Sequence, residues 1–151
     1  MRGYFVICNF LFISTKLTLG KNERLKSRKQ LEFLFKKGKS IVVFPFRVYF
    51  VYNTEVREND FYPVLMGAGV GKKYFKKAVD RNKIKRITRE AFRLTKPKFT
   101  EIAKAKGGNG QLQVFFLYTH RELPEFQSVK DKLELIPSKI SEKLDLPATG
   151  I

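Results

Sequence analysis

A chain of 151 residues has room for one domain around a single modest core, and its net charge of +17 calls for a polyanionic partner rather than a small neutral substrate. One cysteine, Cys8, makes neither an intrachain disulfide nor a cysteine metal site and suits a reducing compartment. One histidine, His120, leaves no material for a histidine metal cluster or a Ser/His/Asp triad, and it reads as a polar residue at a strand end.

Tyr4 to Ile13 is apolar and follows Arg2, like a short signal-peptide core. At roughly ten residues it is too short to span a bilayer, and no small-residue cleavage site follows. Residues 1–15 are therefore expected to be a loosely packed extension or an upstream start. From Asn22 to Lys37, Leu25, Leu31, Leu34 and Phe35 recur among Lys, Arg and Gln, which predicts a helix ending before Gly38. Ser27 is its candidate N-cap, with Gln30 in the capping-box position.

Ile41 to Asn53 reads as a strand rich in Val, Phe and Tyr. From Pro45 it alternates, with Phe46, Val48, Phe50 and Tyr52 on one side and Arg47, Tyr49 and Val51 on the other. Thr54 to Asp60 reads as a hairpin loop and Tyr62 to Val70 as the next strand. Gly67, Gly69 and Gly71 weaken that strand or admit another backbone, and their spacing matches neither a dinucleotide fingerprint nor a P-loop.

Lys72 to Lys98 is the most charged stretch, with basic residues at 72, 73, 76, 77, 81, 83, 85, 86, 89, 93, 96 and 98 against Asp80 and Glu90 alone. At roughly 100° per residue, Ile84, Ile87, Ala91 and Leu94 share one sector, flanked by Thr88, Thr95 and Phe92. Asn82, Lys85, Arg86, Arg89 and Arg93 fall opposite. The predicted helix starts near Asp80 or the Gly71 region and ends at Pro97, which cannot continue the hydrogen-bond ladder. A solvated helix face would show the same charge, but it would interleave Glu with Lys four residues apart. Here the cations repel one another unless phosphates come between them, so the stripe points to nucleic acid.

Lys106 to Gly110 is a loop, and Leu112 to Thr119 is an apolar run that fits a strand buried on both sides. After Pro124 the residues Phe126, Val129, Leu133, Ile136, Ile140 and Leu144 recur at helical spacing, and Pro137 predicts a kink or two short helices. The element order is α-β-β-β-α-β-α, an α/β sandwich with helices packed on a sheet. Its carboxylates are scattered, without the pairing of a metal-ion nuclease, and no base stands beside a nucleophile.

The run Phe75-x-x-Ala78-x-x-Arg81-Asn82-Lys83-Ile84-Lys85-Arg86-x-Thr88-Arg89-Glu90-x-Phe92-Arg93, preceded by Val70-Gly71-Lys72-Lys73, resembles the signature of the bacterial ribonuclease P protein subunit. Weaker similarity extends from about Lys16 to Leu146, so residues 16–146 are the expected domain and 147–151 a short tail. The resemblance implies a small mixed sheet with a left-handed βαβ crossover, similar to the second domain of ribosomal protein S5. It implies magnesium-dependent endonucleolytic removal of the 5′ leader from precursor tRNA, with the active site and the Mg2+ on the RNA subunit and the isolated protein not catalytic. Expected partners are the catalytic RNA and precursor tRNA, in the cytoplasm, with no membrane and no stable protein partner.

On the same resemblance, Lys72, Lys73, Arg81, Asn82, Lys83, Lys85, Arg86, Arg89 and Arg93 grip the catalytic RNA. Lys83 stands where the family usually has arginine, which keeps the charge and loses the planar fork. Phe35 and Tyr49 match positions that line a leader-binding cleft between the first helix and the sheet, Leu31 stands where the family often has a third aromatic, and Arg47 joins them from the predicted face of Tyr49. Core packing explains Phe35 and Tyr49 equally well, although Arg47 on the face of Tyr49 favours the cleft. A structural RNA-binding protein is the main rival. A DNA-binding module lacks the preceding helix and turn, and a membrane-surface helix lacks an aromatic anchor.

Overall fold

A computed structural model of the protein describes residues 19–54, 62–105 and 110–149, with backbone alone from 145 onward. The expectations for residues 1–15, for Cys8, for most of the Thr54–Asp60 and Lys106–Gly110 loops and for the end of the chain lie outside the described residues. A short 3-10 turn, Lys21–Glu23, precedes helix α1, Arg28–Lys37. Strands β1 (Lys39–Val43), β2 (Phe46–Asn53) and β3 (Val64–Val70) follow, then helix α2 (Ala78–Ala105), strand β4 (Gln111–Tyr118) and helix α3 (Phe126–Thr149). This is the expected α-β-β-β-α-β-α order, although the sequence patterns mark only two strands ahead of the basic helix; the third comes from the Ile41–Asn53 run, which divides in two.

The four strands form one mixed sheet in the order β1-β2-β4-β3. The run from Ile41 to Asn53 is not one strand: it reverses at Phe44-Pro45, and Val43 pairs with Phe46 across a tight antiparallel turn. Pro45 has no amide to give a ladder, so the alternation resumes beyond it on a new strand. The connection after β2 is not a hairpin either. β2 pairs antiparallel with β4, and β3 lies on the far side of β4, parallel to it, so the last strand in sequence occupies the middle. An inner position requires apolar residues on both faces, which is what the Leu112–Thr119 run supplies.

Helices α2 and α3 cover one face of the sheet and α1 the other. Phe46, Val48 and Phe50 of β2, Val114 and Phe116 of β4 and Met66 of β3 meet Ile84, Ala91, Phe92 and Phe99 of α2 and Val129, Leu133, Ile136 and Ile140 of α3 in the main core. A smaller cluster behind the sheet joins Leu25, Leu34 and Leu65 with Leu31, Tyr49, Val51, Tyr62 and Phe115.

Both helices outlast their prolines. Pro97 lies inside α2 and Pro137 inside α3, so α2 does not end at Pro97 and α3 is neither split nor two helices. An interior proline costs about 3 kcal/mol. Buried Phe99 and Ala103 beyond Pro97, and Ile140 beyond Pro137, offset that cost by keeping the later turns on the core. Helix α2 begins at Ala78, and Asp80 is in its first turn rather than at its cap. Its buried sector is rotated from the one read in the sequence. Thr88 and Thr95 are buried, their hydroxyls donating to the carbonyls of Ile84 and Ala91, while Leu94 is 36% exposed.

Helix α1 is shorter than predicted, because Leu25 belongs to an extended segment that binds the sheet edge: the Leu25 amide donates to the Met66 carbonyl at 2.7 Å. Ser27 is the N-cap residue, but its hydroxyl makes no capping hydrogen bond, so the expected capping box is not formed. Gly38 ends the helix as predicted. A Cβ there would stand 2.3 Å from the Leu34 carbonyl oxygen and 2.9 Å from that of Phe50, both backbone atoms that cannot give way. Gly38→Ala is expected to lower unfolding free energy by roughly 1–3 kcal/mol. Urea unfolding measures it, and an unchanged midpoint contradicts this junction.

Candidate nucleic-acid interface

The basic residues of α2 divide into those that face outward and those tied to the fold. Asn82, Lys83 and Arg86 are exposed, and Lys85, Arg89 and Arg93 are half-buried along the flank of the helix. Lys72 and Lys73 are exposed on the turn between β3 and α2, where the Lys73 ammonium lies 5.6 Å from the centre of the Tyr74 ring. Arg81 is turned inward. Its Nη1 donates to the carbonyls of Phe75 at 2.8 Å and Lys76 at 2.7 Å, which fastens the approach to the helix. Its guanidinium is spent on backbone, and the motif spacing alone gives no sign of this.

Arg93 is bonded to Glu90, one turn back. That bond raises the Arg93 pKa above its ordinary value and is the first cause holding Glu90 below the carboxylate range. The pair is exposed, so a competing phosphate displaces it at little cost.

Arg89 is in a different setting, because a residue outside the signature joins it. Arg24 forms a parallel bridge with Met66 at the outer edge of β3. Its neighbour Glu23 is ion-paired to Lys96 at 2.6 Å, and Lys96 follows Arg89 by two helical turns. The segment is thus strapped between β3 and α2 with Arg24 beside the basic flank. Burial first, then the guanidiniums of Arg24 and Arg86, push the Arg89 pKa below its ordinary value. Among the described residues, no carboxylate is within ion-pair distance of any of the three, and Arg24 Nε is buried without a hydrogen-bond partner. Arg24 was missed because it looked like one cation among several near a helix start.

The second surface lies between α1 and the sheet, and the four residues predicted for it do come together. Phe35, 48% exposed, stands edge-on to Tyr49 with ring centres 5.0 Å apart. The Arg47 guanidinium carbon is 5.6 Å from the centre of the Tyr49 ring, and Leu31 packs on the same cluster. A residue not predicted, Phe115 of β4, makes a second edge-on contact with Phe35 at 5.4 Å. The glycines of β3 explain its place. A Cβ on Gly67 or Gly69 would come within 2.7 and 2.6 Å of the Phe115 ring, so what approaches this strand is an aromatic side chain rather than another backbone. The cleft therefore has three rings, the third from β4 instead of position 31. Gly67 opposite Phe115 in the ladder was the available signal, hidden because the pairing of β3 with β4 was not foreseen.

His120 lies just past β4, its ring 4.9 Å from that of Phe44. Among the described residues no three His, Cys, Asp or Glu side chains gather as for a metal ion, and no helix is long and apolar enough to cross a membrane.

Residues 19–139 match the family model for Ribonuclease P. The ribonuclease P protein component of Porphyromonas gingivalis is 34% identical over 116 residues, covering 77% of this chain and 81% of that one. That of Chlorobaculum tepidum is 44% identical over 59 residues, covering 39% of this chain and 38% of that protein. Among solved structures, the RNase P protein from Thermotoga maritima is similar over 77% of this chain and 96% of its own, with a TM-score of 0.59 and 26% identity. The Staphylococcus aureus RNase P protein covers 80% and 95% with a TM-score of 0.55 and, at 24% identity, shows likeness of fold.

Proposed function

The chain belongs to the bacterial ribonuclease P protein family, the protein component of a tRNA-processing ribonucleoprotein endoribonuclease, and from that premise we propose that it binds the catalytic RNA and the 5′ leader of precursor tRNA on two separate surfaces. The observation that carries this reading is the basic flank of α2 with Arg24 strapped beside it by the Met66 bridge and the Glu23–Lys96 ion pair, where among the described residues no carboxylate is within ion-pair distance of Arg24, Arg86 or Arg89. Cations along one flank with no carboxylate among them repel one another and are stabilised when a phosphate accepts their hydrogen bonds.

In this reading Asn82, Lys83, Lys85, Arg86, Arg89 and Arg93, with Lys72, Lys73 and Arg24, hold the phosphates of the catalytic RNA. Arg81 shapes the turn that presents them. The cleft takes the leader: Phe35, Tyr49 and Phe115 offer ring surface on which unpaired bases stack with little regard to identity, and Arg47 at its margin meets a leader phosphate. Magnesium supplies the nucleophile activation and charge stabilisation of phosphodiester hydrolysis when bound by the RNA. The donors this protein presents there are lysine and arginine nitrogens, which repel a cation, so its part is to bind and place RNA. The reaction runs in the cytoplasm, where precursor tRNA is made.

The test is cleavage of a leader-bearing precursor tRNA by a bacterial ribonuclease P RNA at low magnesium, with and without the protein and with protein alone. Stimulation only when both are present is expected. Salt-sensitive RNA binding without stimulation would favour a structural RNA-binding role, and cleavage by protein alone would reveal an active site in the chain. In the same assay Phe35→Ala is expected to weaken binding of leader-bearing tRNA about ten- to a hundredfold, the loss of roughly one or two stacked bases. Binding of tRNA lacking a leader should be unchanged, and an equal loss for both substrates would place Phe35 outside the leader path.

A further inference from the structure

One end of the sheet carries aromatic surface that neither proposed RNA surface uses. Phe44, at the tip of the β1–β2 turn, is 60% exposed, an unusual setting for so large an apolar ring beside a tight turn. Among the described residues its ring neighbour is His120, at 4.9 Å and 67°, which leaves Phe44 open on its solvent side. The platform is fixed in place. Both the amide and the hydroxyl of Thr119 donate to the Pro45 carbonyl, at 2.9 and 3.0 Å, tying the turn to the residue that precedes His120.

The same end of the sheet is where the basic turn begins. Val70 is the ladder partner of Tyr118, so the chain leaves β3 for α2 beside the point where β4 runs into Thr119 and His120. A row of rings makes the connection: Phe75 lies 6.2 Å from Tyr118, Tyr118 lies 6.5 Å from His120, and His120 touches Phe44. Phe75 is the residue whose carbonyl Arg81 holds. Exposed Lys72, Lys73, Lys76 and Lys77 on the turn, and Arg121 beyond His120, outnumber the exposed carboxylates of Glu122 and Glu125. Glu122 stands 3.7 Å from His120 and is 85% exposed, free to swing away from an incoming anion.

We infer that the Phe44–His120 pair is a further stacking site that takes one unpaired RNA base, while the neighbouring lysines hold the phosphates flanking it. This rests on the RNA-binding reading above and adds a base contact to a surface otherwise made of cations. Protein partners are disfavoured by the charge, since a typical protein interface is depleted of lysine at its core and the turn at this end of the sheet carries four exposed lysines.

Binding of a bacterial ribonuclease P RNA is measured over a range of salt for wild type, Phe44→Ala and Phe44→Tyr. Phe44→Ala is expected to weaken binding about tenfold or more with the salt slope unchanged, because stacking releases no counterions, and Phe44→Tyr is expected to restore it. RNA substituted with 4-thiouridine is expected to crosslink to the peptide containing Phe44 or to that containing His120, a readout on wild type that does not depend on how a variant folds. Wild-type affinity in Phe44→Ala, a parallel fall in salt slope, or an absence of both crosslinks overturns the stacking site while the RNA-binding reading stands. Loss of self-association in Phe44→Ala with RNA affinity intact overturns it in favour of a protein contact. Wild type that fails to bind RNA in a salt-dependent way overturns both.

Discussion

A protein carrying Arg86→Ala and Arg89→Ala together is expected to bind ribonuclease P RNA about a hundredfold more weakly at roughly 0.1 M salt, and yet to unfold at a higher temperature than the wild type. The first effect follows from two charge-assisted hydrogen bonds to phosphate, each worth about 1.5–3 kcal/mol when the partner charge is removed. The slope of log affinity against log salt should fall by about two. The second effect follows from the sign of the Arg89 shift. Burial, Arg24 and Arg86 lower its pKa, so the folded state disfavours the charged form that Arg89 carries at neutral pH. A cation with a depressed folded pKa costs stability throughout the range below that value, and removing it returns that stability, here up to about 1 kcal/mol for a half-buried side chain still screened by solvent. Filter binding and thermal melting in parallel separate the readings: weaker RNA binding with a lower melting temperature would make these arginines structural.

Phe116→Ala is the substitution expected to damage the fold most, by about 3–5 kcal/mol out of a total of roughly 5–15. Phe116 is fully buried at the centre of β4, with ring centres of Phe92 and Phe99 each at 5.9 Å and of Phe46 at 6.3 Å. No small movement closes a void bounded by the α2 rings and the two neighbouring strands. Phe115→Ala, one residue earlier and on the opposite face, should cost far less stability because that ring is half-exposed, and should instead weaken leader binding. Urea unfolding of the pair checks the assignment of faces, and equal costs would contradict it.

The family signature and the element order were legible in the sequence because both are local: fixed spacings along α2, and the alternation of apolar runs with turns. What was not legible depended on partners distant in the chain. Thr88 and Thr95 looked peripheral and Leu94 central, yet the threonines return their hydroxyls to the helix's own carbonyls and can be buried, while the sheet does not reach Leu94. Pro97 and Pro137 carry a local stop signal, which the packing of later turns overrides. The same holds at the candidate site. Residues 35 and 49 were placed together by resemblance and 47 by the alternation of its strand, but Arg24 and Phe115 join their surfaces only through the outer edge and the middle of the sheet, neither of which a reading in chain order locates. The inward turn of Arg81 depends on backbone five and six residues earlier, and no residue type announces it.

The place of β4 also has a meaning in time. As the chain leaves the ribosome, β1 and β2 can close their turn at once, but β2 has no second neighbour and β3 has only the Arg24–Leu25 segment at its outer edge until Tyr118 has emerged. By then α2 is already outside the exit tunnel, with its arginines displayed and its apolar face uncovered. For that interval the nascent protein is a cationic amphipathic helix beside ribosomal RNA, in abundance, before its own RNA is met. A sheet completed from the middle by its last strand therefore leaves the basic helix without its finished packing until nearly four-fifths of the protein has left the ribosome, and lengthens the time in which non-specific capture competes with productive assembly.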